Sequence, residues 1–376
     1  METFRHLEVS ISGEHVGTLA VYQGRLIAFE YTDNWLQRGF SISPFALPLQ
    51  KKLFIPKYDP FDGLFGVFAD SLPDGWGRLL VDRMLVKMQI NPSEVDMLNR
   101  LAIVGDSGMG SLTYFPRHVW KSDNVKAEYD DIANECKKVL ESEYTNDLDK
   151  LFLLGGSSGG ARPKILTEID NEDWIIKFPA STDGKNSGKI EYRYSLCAKK
   201  CGIDMTETRL FPSKQCSGYF GTKRFDRANQ NHESKKRIHM QSVSALLETS
   251  HRIPALDYNS LMQLTLELTK DYTEVEKMFR LMCFNVFAHN RDDHSNNFSF
   301  LFDEKINKWK MAPAYDLTHS SSIGGEHATC INGNGRNPTI VDLLAVAEKI
   351  SLDKQKSKQI AEQVQQTVQE ELSDIL

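Results

Sequence analysis

Residues 288–302, AHNRDDHSNNFSFLF, place two histidines, two adjacent aspartates and three asparagines within ten positions. Apolar runs flank this polar cluster on both sides. Three explanations compete for it: a metal site, a phosphoryl-transfer loop, or a solvated turn without chemical function.

Phosphoryl transfer would use the acidic and amide side chains of this segment. Asp292 and Asn297 have the Asp-x-x-x-x-Asn spacing of the protein-kinase catalytic loop. The next residues, FSFLF, predict a buried strand, DEKINK predicts a charged turn, and WKMAPAYDL predicts a returning strand that ends on Asp316. In such a site one carboxylate orients the attacking hydroxyl, while an amide and a second carboxylate hold Mg²⁺ against the nucleotide phosphates.

A metal hydrolase would instead use His289, Asp292, Asp293 and His294. The sequence contains no HExxH motif and no obvious second His/Asp cluster with ligand spacing. In the purely structural alternative, the histidines cap or hydrogen-bond the loop and only shape it. The segment by itself therefore leaves all three explanations open.

Two upstream features favour phosphoryl transfer. Residues 155–164, GGSSGGARPK, contain four glycines that let backbone N–H groups approach phosphate oxygens. A flexible linker would also have this composition. The segment matches neither of the phosphate-binding motifs GxxxxGK[ST] and GxGxxG. Lys177 lies in the apolar strand DWIIKFPAS, where a buried ammonium group needs an anionic partner such as Glu191 of the next helix, unless it reaches solvent at a strand edge. These features occur along the chain in the order found in protein kinases: the glycine-rich loop, the strand lysine, the helix glutamate, the Asp…Asn pair and the final Asp.

The elements that must position these residues divide the chain into three parts. Alternating apolar residues followed by helical patterns predict a small α+β subdomain over residues 1–118. Residues 119–227 predict strands around one helix, with a polar helical connection over 121–150. Residues 228–376 predict a helix-rich lobe with one strand pair, after a polar loop over 228–240. We therefore predict an α+β protein with two lobes and an extra N-terminal subdomain.

The composition limits the class of function. Hydrophobic residues make up 40% and charged residues 26% of the chain, which is typical of a globular protein. The net charge of −6 argues against a dominant electrostatic grip on nucleic acid. The six cysteines are scattered, and no apolar leader or run of 18 apolar residues occurs. These features predict a cytoplasmic protein with reduced thiols and no membrane contact.

The motifs together resemble the HipA-type toxin kinases of bacterial type II toxin–antitoxin systems. LFGVFADSLPDGWGR and IVGDSGMGSLTYFP resemble the family's N-terminal subdomain. GGARPK, WIIKFP, KRFDR, the D-x-H-x-x-N-F run at 292–298 and AYDL resemble its kinase motifs, and this set is quite specific. The resemblance covers nearly the whole chain and implies a two-lobed, protein-kinase-like fold of HipA type with a small α+β N-terminal subdomain.

The resemblance assigns the catalytic roles as follows. Asp292 would be the catalytic base, and Asn297 and Asp316 would bind Mg²⁺. Lys177 would contact the ATP phosphates. Asp293 departs from the glycine that is common in the family at that position.

The resemblance also implies nucleotide contacts and a modification site. Lys223, Arg224 and Phe225 would form the hinge that holds adenine through backbone groups. Ser157, or alternatively Ser158, falls where the family carries an inhibitory autophosphorylation site, because a phosphate there would repel the ATP phosphates. Further nucleotide contacts would come from Gly159, Gly160, Ala161, Arg162, Pro163, Lys164, His294 and Tyr315.

For function, the resemblance implies an ATP- and Mg²⁺-dependent serine/threonine protein kinase that arrests growth when free. A helix-turn-helix antitoxin of HipB type would neutralise it, and DNA would be contacted only through that antitoxin. The protein substrate in characterised members is often an aminoacyl-tRNA synthetase, but this sequence names none. Two alternatives stay open: a kinase-like enzyme acting on a small molecule, and a nucleotide-binding co-repressor without turnover.

Overall fold

The structure is a computed structural model that describes residues 1–120, 128–230, 234–253 and 255–376. Residues 121–127 of the predicted polar connection and 231–233 of the predicted polar loop lie outside the described residues. The rest of the connection is helical over Tyr129–Leu140 and from Leu148 onward, whereas residues 141–147 between the two helices are not.

Strands and helices both occur along the described chain, which confirms the α+β prediction. The strands are β1 His6–Ile11, β2 Glu14–Tyr22, β3 Leu26–Tyr31, β4 Leu112–Phe115, β5 Lys164–Ile169, β6 Glu172–Lys177, β7 Thr208–Phe211, β8 Tyr219–Lys223, β9 Arg227–Gln230, β10 Ser234–Arg237, β11 Met240–Ser242, β12 Leu256–Asp257, β13 Ser299–Asp303, β14 Lys308–Met311 and β15 Thr329–Cys330. The α-helices are α1 Asp33–Arg38, α2 Gly66–Ala69, α3 Gly75–Lys87, α4 Met97–Val104, α5 Tyr129–Leu140, α6 Leu148–Gly155, α7 Ser187–Lys200, α8 Val243–Leu246, α9 Tyr258–Thr269, α10 Tyr272–Phe287, α11 Ile340–Lys349 and α12 Lys354–Leu372.

The described chain forms two compact units. The first comprises Met1–Gly188, Leu210–Gln241 and Ala245–Thr249, and the second comprises Lys189–Arg209, Ser242–Ser244 and Ser250–Leu376.

The first unit contains the antiparallel sheet β3-β2-β1-β4 and most of the sheet β5-β6-β8-β7, in which β5, β6 and β8 are antiparallel. In β1, Leu7, Val9 and Ile11 are buried while the residues between them face outward or are half-buried. This period of two is the reason that HLEVSI forms a strand with one face on a core.

Helix α3 packs into a core that is separate from the core of the N-terminal sheet. Strands β1 to β4 enclose one apolar cluster, whereas Trp76 and Leu80 of α3 pack in a second cluster with Ile165 and Ile176 of β5 and β6. Burying each such aliphatic side chain contributes about 1.5–3 kcal/mol. The segment DGWGR of the predicted N-terminal subdomain is thereby built into the core beneath the glycine-rich loop.

The second unit is helix-rich, with the hairpin β13–β14 and the parallel pair β12–β15. Its last helix, α12, was predicted as charged and amphipathic, and this is confirmed. Ile360, Val364 and Val368 recur at four-residue spacing and are buried, while most other positions are exposed.

Two local predictions were wrong. The segment predicted as a polar loop over 228–240 contains the hairpin β9–β10, in which Arg227 lies opposite Arg237. Polar residues on both faces hid the strand periodicity. The strand predicted to continue to Asp316 ends at Met311, because Pro313 has no N–H group to extend the ladder.

Candidate active site

The polar segment begins where α10 ends, and its first residues turn the chain sharply. His289 adopts a left-handed conformation with φ of 49°. Asn290 then donates from its main chain to the Asn285 carbonyl and from its side chain to the Asn285 amide oxygen, both at 2.9 Å. The loop is therefore anchored to the last turn of the helix before it reaches the two aspartates.

The adjacent aspartates have opposite environments. The Asp292 side chain is 63% exposed, whereas that of Asp293 is fully buried. Neighbouring side chains in an extended segment point in opposite directions, so burying Asp293 presents Asp292 to solvent. Asp292 is thus available to a substrate and Asp293 is not.

Asp293 binds hydrogen-bond donors from three elements. Tyr258 donates its hydroxyl at 3.0 Å and His327 its Nδ1–H at 2.9 Å to one carboxylate oxygen, and the Thr329 amide donates to the other at 3.2 Å. Asn285 in turn donates to the Tyr258 hydroxyl at 2.9 Å. Burial and the charge of Asp293 raise the pKa of Tyr258, so it stays a hydroxyl donor. This network fixes the backbone on which Asp292 sits.

The other side of the loop is held by a short 3₁₀ turn at 295–297. The Asn297 side chain donates to the Asp292 carbonyl at 2.6 Å, which directs its amide oxygen away from that carbonyl. His294 caps the turn, because its Nδ1 accepts from the Asn296 amide at 3.3 Å. This leaves the imidazole proton on Nε2, which lies 3.8 Å from Asp292 Oδ1.

The hairpin after this loop leads to the predicted metal-binding aspartate. Strands β13 and β14 form the predicted hairpin, with Phe300 opposite Met311. Tyr315 donates its hydroxyl to the Asn296 carbonyl and contacts the Ser299 hydroxyl, both at 2.6 Å. Asp316 has a left-handed backbone with φ of 54°, an uncommon conformation for a residue that is not glycine. Such conformations recur at functional sites, which is consistent with a ligand role.

These side chains offer the ligands that Mg²⁺ takes. The amide oxygen of Asn297 and the carboxylate of Asp316 are hard oxygen donors, the class that binds this cation together with water and phosphate. Within the described ranges, no group of three or more His, Cys, Asp or Glu side chains is placed to hold a metal ion. Since Asp293 is occupied by His327, Tyr258 and Thr329, the four residues of the metal-hydrolase alternative do not form a ligand set.

The glycine-rich loop lies in the first unit, between α6 and β5. The Trp76 amide donates to the Gly160 carbonyl at 2.9 Å, and the Trp76 indole donates to the Lys164 carbonyl at 3.1 Å. A side chain at Gly77 would collide with the Ser158 carbonyl, and Gly160 has a φ of 84°. Gly77 is therefore required by the close approach of the Ser158 backbone, and Gly160 is favoured by its backbone conformation.

The two candidate acceptor serines differ in access. Ser158 is 2% exposed and donates its hydroxyl to the Gly155 carbonyl at 2.6 Å, whereas Ser157 is half-buried. Ser158 would have to leave this position before it could be modified, which favours Ser157.

Two buried lysines meet on the sheet below the loop. Lys164 and Lys177 are register partners on β5 and β6, so their side chains share one face. The Lys164 ammonium donates to the Gly159 carbonyl at 2.5 Å, and that of Lys177 lies 5.6 Å from the Phe220 ring centre. Like charges on one face favour the binding of an anion such as phosphate. The pairing of Lys177 with Glu191 remains a prediction.

Three other predicted nucleotide contacts have partners within the protein. Arg162 forms a two-pronged ion pair with Asp183, at 3.0 and 3.2 Å. Lys223, at the end of β8, pairs with Glu172. Pro163 accepts from the Phe178 amide at 2.8 Å, which holds the end of the loop against the strand.

The predicted hinge follows β8. The Arg224 amide donates to the Asp173 carbonyl at 2.8 Å, and its buried guanidinium binds both carboxylate oxygens of Asp226, at 2.9 and 2.7 Å. The Arg224 side chain therefore anchors the predicted hinge through Asp226.

The sequence did not single out the residues that hold this machinery. Tyr258, His327 and Trp76 lie far along the chain from the residues that they support. Buried Asp226 had a signal in KRFDR, where an acid stands between two arginines. His251, whose Nδ1 accepts from the Asn296 side chain at 3.1 Å, had none.

Family comparison settles which proteins this chain is related to. Residues 156–372 match the model of the HipA-like C-terminal domain, which is more than half of the chain. The chain belongs to the HipA family. Residues 7–115 also match the HipA N-terminal domain, so both family domains are present in the expected order. No curated protein sequence matches the chain.

One solved structure has the same fold over nearly the whole chain. HipA from the Shewanella oneidensis MR-1 toxin–antitoxin system, solved with HipB and operator DNA, superposes with a TM-score of 0.74 at 17% identity. The match covers 98% of this chain and 90% of that HipA chain. The predicted HipA-like fold is thereby confirmed. The Helicobacter pylori proinflammatory kinase CtkA matches over 56% of this chain and 90% of its own, with 17% identity and a TM-score of 0.37.

Across the described part of this HipA-family chain, no helix is both long and apolar enough to cross a membrane.

Proposed function

We propose that this HipA-family protein is a serine/threonine protein kinase that transfers the γ-phosphoryl group of ATP to a protein serine. Asp292 is the catalytic base, and Asn297 and Asp316 hold Mg²⁺. Lys177 and residues 159–164 bind the phosphates, with the backbone of 223–225 at adenine. When bound, Mg²⁺ neutralises the charge that develops on the transferred group.

The observation that carries the proposal is the loop around Asp292. A buried partner network fixes the loop at Asp293, while Asp292 remains 63% exposed and its carbonyl is tied to Asn297 at 2.6 Å. A general base must be reachable by the substrate hydroxyl and held in one orientation. His294 supports this role, because its Nε2–H side faces the Asp292 carboxylate.

The proposed biological setting is a toxin–antitoxin system. The Shewanella HipA that shares the fold was solved in a complex with HipB and operator DNA. We propose an equivalent helix-turn-helix antitoxin as the partner, with DNA contacted only through it. The net charge of −6 supports indirect contact, since phosphate recognition needs basic groups. A protein substrate of the aminoacyl-tRNA synthetase class is the first to test.

Intact-mass spectrometry after incubation with Mg-ATP tests the assigned base and acceptor. The wild type is expected to gain one phosphate, which fragmentation places on Ser157. Asp292→Asn should gain it at least about 100-fold more slowly, because positioned general bases contribute that much or more. Asp374→Asn is the matched control, since its carboxylate is 66% exposed and lies in the same unit.

Three outcomes would contradict parts of the proposal. Equal phosphorylation of the wild type and Asp292→Asn would remove Asp292 as the base. Phosphate on Ser158 would replace Ser157 as the acceptor. An unmodified wild type would exclude autophosphorylation.

A further inference from the structure

The segment that follows the proposed adenine hinge contains a buried charge cluster. Asp226 is 0% exposed, and its carboxylate binds Arg224 and Arg227 at distances down to 2.7 and 2.6 Å. Arg237 lies opposite Arg227 on the hairpin β9–β10. We call Arg224, Arg227 and Arg237 the arginine cluster.

The arginine cluster binds a loop of the N-terminal HipA domain. All three guanidinium groups donate to the Gly108 carbonyl, at 2.9 to 3.3 Å. Arg227 and Arg237 also donate to the Gly110 carbonyl, both at 3.0 Å. Arg237 reaches further along the same loop, to the carbonyls of Asp106 and Leu112. The loop 106–112 is therefore held along its length by the hinge segment.

The binding is reciprocal. The Gly110 amide donates to Asp226 Oδ2 at 2.7 Å, and Gly110 has a φ of 72° that favours glycine. The Asp226 carbonyl accepts from the Ile238 amide at 3.0 Å, which closes the hairpin behind it. The backbone of residue 226 is thus fixed by its own side chain, by the N-terminal loop and by the hairpin.

The charges in this cluster persist at neutral pH. Burial alone would raise the pKa of Asp226, but the attraction and hydrogen bonds of Arg224 together with Arg227 lower it to about 2. Burial lowers the pKa of Arg227 to about 10, which leaves it protonated. Three cations around one anion are compensated by the loop carbonyls, so removing the loop would leave buried positive charge.

Downstream of the hinge, the same segment stays attached to the N-terminal domain. Buried His239 donates its Nε2–H to the Ile42 carbonyl at 2.8 Å, and Gln241 donates to the Ser43 hydroxyl at 3.1 Å. The described residues 224–227 and 237–241 thus both contact the N-terminal domain. A hinge whose far side is held this firmly has little freedom to adjust around a ligand.

We propose that loop 106–112 of the N-terminal domain is a positioning element for nucleotide binding. It holds the hinge backbone at 223–226 through the arginine cluster and Asp226, so that nucleotide affinity depends on residues that touch no nucleotide. This inference rests on the proposed function. It assigns the N-terminal domain a role within the kinase itself.

The test separates positioning from simple stabilisation. Arg237→Lys keeps the positive charge but cannot span the carbonyls of Asp106, Gly108 and Gly110. Arg38→Lys makes the same change at an exposed position of the N-terminal domain and serves as the control. Nucleotide Kd is measured by titration with a fluorescent ATP analogue, and KM and kcat by phosphoryl transfer. Circular dichroism verifies that each variant is folded at the assay temperature.

Arg237→Lys is expected to raise Kd and the KM for ATP by at least about five-fold, the lower range of coupling between distant sites. Its kcat at saturating ATP should remain within about two-fold of wild type, because nucleotide binding is weakened equally in the ground state and in the transition state. Arg38→Lys should match the wild type in every parameter. A purely structural role would lower the unfolding temperature and leave Kd unchanged in the folded protein.

Two results overturn the inference in distinguishable ways. If the wild type binds nucleotide and folded Arg237→Lys binds it equally well, the positioning role is wrong while the proposed function stands. If the wild type binds no adenine nucleotide, the proposed function fails and this inference fails with it.

Discussion

Among the described residues, each unit of the protein contains one buried aspartate, and the two aspartates are held by different partners. Asp226 in the first unit binds guanidinium groups, at distances down to 2.6 Å. Asp293 in the second unit binds a tyrosine hydroxyl, a histidine ring and a backbone amide, between 2.9 and 3.2 Å. The first is a network of full charges, whereas the second is built largely from dipolar donors.

The difference indicates what each aspartate does. The arginine cluster needs a nearby anion, and the Asp226 carboxylate supplies it. Asp226 thereby ties loop 106–112 to the hinge segment. Dipolar donors hold Asp293 in one orientation, and their main consequence is the exposed position of Asp292 next to it. Asp226 links the N-terminal domain to the proposed hinge, and Asp293 presents the side chain of the proposed catalytic base, Asp292.

The largest effect is expected from removing the Asp226 charge. Asp226→Asn leaves the buried guanidinium group of Arg224 and the partly buried ones of Arg227 and Arg237 around a neutral amide, so the free energy of unfolding should fall by about 3–5 kcal/mol. Urea denaturation measures this change. Asp33→Asn, at an exposed ion pair with Lys51, should change much less. Equal losses in the two variants would show that the arginine cluster does not depend on this carboxylate.

A second prediction uses the buried histidine of the first unit. Burial lowers the pKa of His239 from its ordinary 6.5 to about 4, so the folded protein holds it neutral. The contribution of neutral His239 to the free energy of unfolding is complete above pH 6.5. It is lost as the pH falls toward 4, because the unfolded chain then binds a proton more readily than the folded one. Over this range the wild type should lose about 3 kcal/mol of stability that His239→Gln does not lose. Parallel pH profiles of the two proteins would contradict the assignment.

The third prediction concerns the second unit. Asp293→Asn keeps the shape of the side chain but replaces one acceptor with a donor, so unfolding should become about 1–3 kcal/mol easier. The stability loss should be smaller than that of Asp226→Asn, yet phosphoryl transfer should fall because Asp292 is no longer held. Kinetic assays of the folded variant measure this. A fully active Asp293→Asn would mean that the network does not position the base.

The sequence predicts the parts of the site whose chemistry is local. The spacing of Asp292 and Asn297, the hairpin before Asp316 and the glycine-rich loop all follow from residues near one another in the chain. The motifs also identify the family. Their supports cannot be read in this way, because Tyr258 and His327 lie 35 and 34 residues from Asp293 and no periodicity links them.

The arginine-rich hairpin illustrates a second limit of prediction. Strand periodicity is visible when one face is apolar, but β9 and β10 carry guanidinium groups toward carbonyl oxygens. Helix α3 shows a third limit of prediction. Its apolar face could be predicted from the sequence, but its packing against β5 and β6 could not. Amphipathic patterns predict that a face is buried and not which core it enters.

The most direct test of the central claim is where the γ-phosphate goes. Bacterial lysate is incubated with γ-labelled Mg-ATP and either the wild type or Asp292→Asn, and label is counted in the protein and small-molecule fractions. A protein kinase predicts label in protein serine with the wild type and none above background with the variant. Label confined to small molecules, or equal protein labelling by both, would contradict the account.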